Sequence, residues 1–169
     1  MTHIVVKNWL AHRVQRYHTH PILGRTGQTN ADHAHGVASI IALLWRDAHP
    51  ELVLGALWHD AGEYGAGDMP YHVKRDNPGL AQQHRTVEMD YAMNVAPPVG
   101  LTLVDQRRLR LADSLESILF VGLHKPDLLA REDLKQQMQG VVDLAAELGV
   151  AGAVVDIIKS AQEGFIHEH

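Results

Sequence analysis

Apolar side chains recur at helical spacing along nearly the whole chain, and no segment alternates convincingly like a β-strand. In residues 103–124 the spacing predicts one apolar helix face, formed by Leu103, Leu109, Ala112, Leu115 and Leu119. A chain of 169 residues fits one domain with a core of its own. The sequence therefore predicts an all-α fold, a single globular helical bundle of six or seven helices over residues 1–169.

Turn-forming residues and prolines place the helix ends. A first helix is predicted over about 3–17, and a second over about 31–48 with Thr29 or Asn30 as its cap. A third is predicted to begin at Pro50 and to end at Gly65 and Gly67. The last two helices are predicted near 127–148 and 151–166, with apolar faces that pack either internally or against another copy.

Composition excludes several classes of protein. The chain has no Cys, which rules out disulfides and thiolate metal sites. The net charge of −5 argues against binding of nucleic acid polymers, and no stretch has the roughly 20 apolar residues that a membrane helix needs. No signal peptide is recognisable either. We therefore expect a cytoplasmic protein (in the host cytoplasm if a phage encodes it) that has no membrane partner.

Histidine is the unusual component, with 13 in the chain, and their positions matter more than their number. His59 and Asp60 follow a run of apolar residues late in the predicted third helix. His33 lies early in the second helix, and Asp113 lies midway along the apolar helix 103–124. Burying a carboxylate in such surroundings is unfavourable unless its charge is compensated, and a bound cation is one form of compensation.

Two His and two Asp on three apolar helices predict a mixed nitrogen and oxygen metal site. Such a donor set suits Mn, Co, Fe, Ni or Zn, with Mg as a further candidate. Four protein ligands on a six-coordinate ion would leave two positions open for water and a phosphate oxygen. The alternative is that each is an ordinary structural residue, which is the commoner case for any single buried His or Asp; the H…HD…D pattern favours the metal site.

Four segments carry a resemblance to a known family: NADHAHGVA around His33, LWHDAGEYGAGDMPYHVK over 57–74, AQQHRTVE over 81–88 and RLRLADSLES around Asp113. In these segments, within about 20–120, the chain resembles the HD-domain phosphohydrolase superfamily. It is most similar to the 5′-deoxynucleotidase branch and to compact phage-type deoxynucleoside triphosphohydrolases. The resemblance implies that His33, His59, Asp60 and Asp113 are the metal ligands.

The resemblance also implies roles for other residues. Glu63 matches an acidic residue that orients or deprotonates the attacking water or protonates the leaving group, and on a continuous helix it would share a face with His59 and Asp60. Asp68 matches a position that contacts the deoxyribose or the water. Lys74 and Arg110 match cations that hold substrate phosphates.

The loop over Thr19–Gln28 is where the chain departs from its relatives. Several of them have an Arg-Trp pair before the proline that matches Pro21, whereas this chain has Thr19 and His20. Without that pair, His20 is the candidate for stacking on the substrate. Ile22 would fill the space of a ribose 2′-hydroxyl, which favours a deoxy substrate because a buried hydroxyl without a partner is penalised.

These expectations together predict a metal-dependent enzyme that hydrolyses the 5′-phosphate ester of a small deoxynucleotide. Products would be nucleoside plus phosphate from a dNMP, or nucleoside plus triphosphate from a dNTP such as dATP. Two alternatives remain: another HD chemistry, on guanosine polyphosphates or cyclic nucleotides, and a non-catalytic metal-binding regulatory module. The GDMP segment argues against the first, and the presence of Glu63 and Asp68 argues against the second. We also expect a homo-oligomer, as in relatives.

Overall fold

The computed structural model describes residues 2–165, in which every element of regular secondary structure is a helix. The helices, numbered in chain order, are α1 Thr2–Ala11, α2 Asn30–Leu44, α3 Pro50–Trp58, α4 Glu63–Ala66, α5 Tyr71–Asp76, α6 Pro78–Val95, α7 Leu103–His124, α8 Glu132–Glu147 and α9 Ala151–Gln162. Two 3₁₀ helices, Leu23–Thr26 and Pro126–Ala130, complete the set.

The predicted all-α class is confirmed. Between residues 2 and 165 there is no strand, and seven of the helices have nine or more residues. In the same range no helix is both long and apolar enough to cross a membrane. The last helix ends at Gln162 and residues 163–165 form a turn, so it stops short of the predicted 166, which itself lies outside the described residues.

The first predicted helix is too long, since α1 ends at Ala11 rather than near residue 17. Beyond it a short stretch, residues 14–16, pairs antiparallel with the segment before α2. The Arg16 amide donates to the Gln28 carbonyl at 2.9 Å, and the Asn30 amide donates to the Val14 carbonyl at 2.9 Å. These bonds replace the i to i−4 bonds of a helix, so long-range pairing overrides the local helical pattern.

The third predicted helix is also wrong in one respect, because it is two helices. α3 ends at Trp58, residues 59–62 form a turn, and α4 begins at Glu63. His59 and Asp60 thus lie just after a helix and not within one. A Cβ on Gly62 would collide with the carbonyl oxygen of Glu88 on α6, so the turn packs directly on the α6 backbone. Only glycine allows so close an approach.

Two compact units make up the described chain. The first contains residues up to His35 together with Leu57–Gly100. In it α1 and α4 both pack on α6, around a small core of Ala11, Ala61, Val95 and Ala96 with Trp58 against it. All three residues of the candidate metal group described below belong to this unit.

The second unit contains Gly36–Ala56 and the chain from Leu101 onwards. Here α7, α8 and α9 pack on one another, so the apolar faces of the last two helices are used internally. The predicted apolar face of α7 is buried in part: Ala112 and Leu115 are fully buried, whereas Leu103 is 78% exposed. The prediction of a single domain over 1–169 stays a prediction.

The beginning of α7 is stabilised by a cap that was not predicted from the sequence. The Thr102 hydroxyl and the Asp105 carboxylate bond each other's backbone amides in a capping box. His49, just before α3, adds a contact of 3.1 Å from its Nε2 to Asp105 Oδ2. The carboxylate of Asp105 raises the pKa of His49 above its usual value, so this contact gains strength when the imidazole is charged.

Candidate metal centre

His33 is positioned by the beginning of α2. The Thr29 amide and hydroxyl both donate to the Asp32 carboxylate, at 2.9 and 2.7 Å, and these bonds lower the pKa of Asp32. The Asp32 amide in turn donates to the Thr29 hydroxyl at 3.4 Å, so Thr29, rather than Asn30, provides the predicted cap. His33 follows one residue after Asp32, and its side chain is completely buried.

His59 and Asp60 are positioned by the turn that ends α3. The Ala61 amide donates to the Trp58 carbonyl at 3.0 Å, and the Glu63 amide donates to the Asp60 carbonyl at 3.0 Å. A long-range bond anchors the end of the helix, because Nε2 of His12 donates to the carbonyl of Leu57 at 2.9 Å. Carbonyls in the last turn of a helix have no partner within it, so such a bond stabilises the helix end.

The three side chains converge on one another. Nε2 of His33 lies 3.2 Å from Nε2 of His59. Oδ2 of Asp60 lies 3.3 Å from the His59 nitrogen and 3.6 Å from the His33 nitrogen. Among the residues that the structure describes, His33, His59 and Asp60 are the group of His and acidic side chains able to hold a metal ion.

These separations fit donors that share an ion. Metal bonds to imidazole nitrogen and carboxylate oxygen are about 2.0–2.2 Å long, so two donors at about 90–110° on one ion lie roughly 3–3.5 Å apart. The observed 3.2 and 3.3 Å fall in that range, and 3.6 Å is close to it. Two imidazoles and a carboxylate suit a divalent transition metal. The identity of the metal stays a prediction.

Glu63 lies beside this group and is buried, with only 6% of its surface exposed. Nδ2 of Asn30 donates to Oε2 of Glu63 at 2.9 Å and also lies 3.3 Å from the Asp60 carbonyl. Burial raises the pKa of Glu63 to about 8, aided by the negative charges of Asp60 and Asp68, although Asn30 and Arg16 oppose the shift. Glu63 is thus a carboxyl group that can both take up and release a proton near neutral pH.

The other predicted site residues are placed as follows. Asp68 is half-buried in the loop after α4 and acts on Glu63 electrostatically. Lys74 lies on α5 with its Nζ 3.9 Å from Oε1 of Glu88. In the second unit, Asp113 is half-buried on α7 and Arg110 is exposed on the same helix. The predicted roles of these four residues stay predictions.

His20 and Ile22 lie in the loop before α2. Nδ1 of His20 accepts a bond of 3.0 Å from the Leu23 amide and so supports the first turn of the 3₁₀ helix. Ile22 is 44% exposed. The ring of His20 therefore has a local structural contact, and the predicted stacking and sugar-selecting roles of the two residues stay predictions.

Two residues at the site were missed from the sequence, Arg16 and Asn30. Nη1 of Arg16 donates to Oδ2 of Asp60 at 2.7 Å, and Asn30 bridges Asp60 and Glu63. Asn30 was predicted as a possible cap of α2, and that role was already a sufficient reason for a polar residue at this position. Arg16 fell within the first predicted helix, about 3–17, and nothing near it in the sequence signals a partner 44 residues away.

Comparison of the chain with protein-family models, with curated proteins and with solved structures gives no match.

Proposed function

We propose that this protein is a metal-dependent phosphohydrolase that cleaves the 5′-phosphate ester of deoxynucleotides. The observation that carries the proposal is the convergence of His33, His59 and Asp60 with the buried carboxyl of Glu63 beside them. The resemblance of the surrounding segments to HD-domain phosphohydrolases supplies the class of substrate.

The metal site would use the Nε2 atoms of both histidines and Oδ2 of Asp60, with Asp113 as the fourth proposed ligand. When bound, a divalent ion there supplies positive charge that polarises a phosphoryl oxygen and makes water a better nucleophile. The fold brings the three donors close together, which reduces the cost of ordering them when an ion binds.

Glu63 is the proposed acid–base group. Its carboxylate takes a proton from the attacking water as the new oxygen–phosphorus bond forms at the α-phosphorus. The bond from phosphorus to the 5′-oxygen breaks, and Glu63 returns the proton to that oxygen, which leaves as the nucleoside hydroxyl. Asn30 holds one carboxyl oxygen of Glu63 in place. Without metal the pKa of Glu63 is about 8; the positive charge of a bound ion would lower it and so favour the carboxylate that accepts the proton.

Substrate recognition is proposed to rest on Asp68, Lys74, Arg110, His20 and Ile22. Lys74 and Arg110 would bind phosphate oxygens, and Asp68 would contact the sugar or the water. Besides the nucleoside, the product is orthophosphate from a dNMP and triphosphate from a dNTP. The same reaction at the α-phosphorus yields either one.

The test is product analysis of the purified protein with each dNMP, each dNTP and the matching ribonucleotides, in Mn²⁺, Co²⁺, Mg²⁺ or Zn²⁺. We expect nucleoside together with orthophosphate or triphosphate from deoxynucleotides, and much less from ribonucleotides. Absence of turnover with every substrate in every metal would overturn the proposal.

A Glu63→Gln variant separates an enzyme from a non-catalytic metal-binding module. It keeps the size of the side chain but removes its ability to exchange a proton, so we expect a turnover loss of about 10²–10⁴-fold with metal binding retained. Glu132→Gln, at an exposed position on α8, is the matched control and should turn over like the wild type. Equal turnover of Glu63→Gln and wild type would remove Glu63 from the mechanism.

A further inference from the structure

Arg16 contacts the candidate metal ligand Asp60 at the oxygen that faces the histidines. Its Nη1 lies 2.7 Å from Oδ2 of Asp60, and the two side chains are 14% and 22% exposed. The same Oδ2 lies 3.3 and 3.6 Å from the Nε2 atoms of His59 and His33. One carboxylate oxygen therefore has the guanidinium and the two imidazoles around it.

The backbone holds Arg16 in register with α2. The amide of Arg16 donates to the Gln28 carbonyl, and Gln15 and Thr29 form an antiparallel bridge. Thr29 caps the helix that carries His33. The backbone pairing of residues 14–16 with 28–30 thus sets the position of both Arg16 and the beginning of α2. It therefore fixes the Arg16 backbone relative to the helix turn that carries His33.

We propose that Arg16 is a positioning residue for the metal ligand Asp60, a role that rests on metal binding by the proposed centre. Each carboxylate oxygen has two lone pairs. With one lone pair of Oδ2 bonded to Arg16, the other is directed to the space shared with the imidazole nitrogens. Hydrogen bonds that orient ligating side chains in this way raise metal affinity. The guanidinium is always charged, so it also balances Asp60 when no ion is bound.

The experiment compares Arg16→Gln, Arg16→Lys and Arg13→Gln with the wild type by calorimetric titration with Co²⁺ and with Zn²⁺. We expect Arg16→Gln to bind each ion about 10–100-fold more weakly, as is usual when a partner of a ligand is removed. Arg16→Lys should recover part of the loss, because an ammonium keeps the charge and donates one bond but lacks the fork of the guanidinium.

Arg13→Gln is the matched control. It removes the same charge three residues away, where the guanidinium lies 4.4 Å from the Trp9 ring centroid, and it should bind both ions like the wild type. Circular dichroism of every variant establishes that the fold is retained. If Arg16→Gln does not fold, Arg16→Lys decides alone, with several-fold weaker binding expected.

Metal binding by Arg16→Gln as tight as that of the wild type, or tighter, would overturn the positioning role, and so would equal binding by Arg16→Lys where that variant decides alone. Wild-type protein that binds no ion would overturn the metal centre and this inference together. Wild-type protein that binds metal but hydrolyses no nucleotide would overturn the proposed function while leaving the role of Arg16 intact.

Discussion

The pKa of the buried carboxyl of Glu63 depends on the groups around it. Its burial, and the negative charges of Asp60 and Asp68, all oppose ionisation, while Asn30 and Arg16 favour it. The groups that oppose ionisation have the larger effect, so the pKa of Glu63 rises from the ordinary 4.5 to about 8. A group that binds its proton more tightly in the folded state than in the unfolded state makes stability depend on pH.

The direction of that dependence follows from the raised pKa. In the metal-free protein, the protonated form of Glu63 contributes stability that is fully present below pH 4.5 and is lost as pH rises through about 8. We expect Glu63→Gln to remove this loss, because an amide stays neutral throughout. Urea unfolding in a chelator at several pH values between 4.5 and 8.5 measures the effect.

The exposed Glu132→Gln variant serves as the control in this experiment as well, and its profile should match that of the wild type. Parallel profiles for wild type and Glu63→Gln would mean that Glu63 does not retain its proton on folding.

Among the helices, the short α4 depends on close packing against α6. Gly62, just before α4, has no room for a Cβ because the Glu88 carbonyl oxygen lies there, and a Cβ on Gly65 would meet the Tyr91 ring. Since the obstacle at Gly62 is backbone, it cannot move aside as a flexible side chain can. Because Gly62 has no side chain, the turn that carries His59 and Asp60 can pack directly against α6.

We expect Gly62→Ala to destabilise the protein by about 2–3 kcal/mol, the cost of forcing an extra methyl group into a packed interior. Because the turn must shift, metal affinity should also fall. Gly140→Ala on α8 is the control: nothing lies within 4 Å of its Cβ, so the change should raise stability by roughly 0.5–1 kcal/mol through helix propensity. Denaturant unfolding of both variants measures the two effects. A Gly62→Ala variant as stable as wild type would contradict the packing described here.

For the molecule as a whole, a bound ion should act as a stabilising ligand. His33 lies 26 positions before the adjacent pair His59 and Asp60 in the chain, so the folded state offers a site that an unfolded chain does not. Binding to the folded state alone stabilises it by about 2.7 kcal/mol at a free metal concentration 100 times the Kd.

In a protein of this size, that stabilisation corresponds to a rise of roughly 5–10 °C in the unfolding midpoint. We expect Mn²⁺, Co²⁺ or Zn²⁺ to produce the rise in scanning calorimetry and a chelator to reverse it. His59→Gln should lose the response, whereas the exposed His35→Gln should keep it. No metal-dependent rise with any of the three ions would argue against the centre.

The amino-acid sequence by itself determined the helical class, most helix positions and the types of residue at the candidate centre. These properties are local: apolar periodicity, prolines and glycines act within a few residues, and α7 begins and ends where the periodicity predicts. His33, His59 and Asp60 could be selected because polar groups in apolar segments need compensation. The roles of Asp113, Lys74, Arg110, His20 and Ile22 stay predictions.

Only the tertiary structure decided where α1 stops, that the His59–Asp60 pair lies in a turn, and that Arg16 and Asn30 bond to the acidic residues of the centre. Each of these depends on contacts between residues far apart in the chain, such as the pairing of residues 14–16 with 28–30 and the approach of Gly62 to Glu88. Local propensity in those segments still favours helix, but backbone pairing and close packing override it. The periodicity of the sequence does not show which distant residues will become partners.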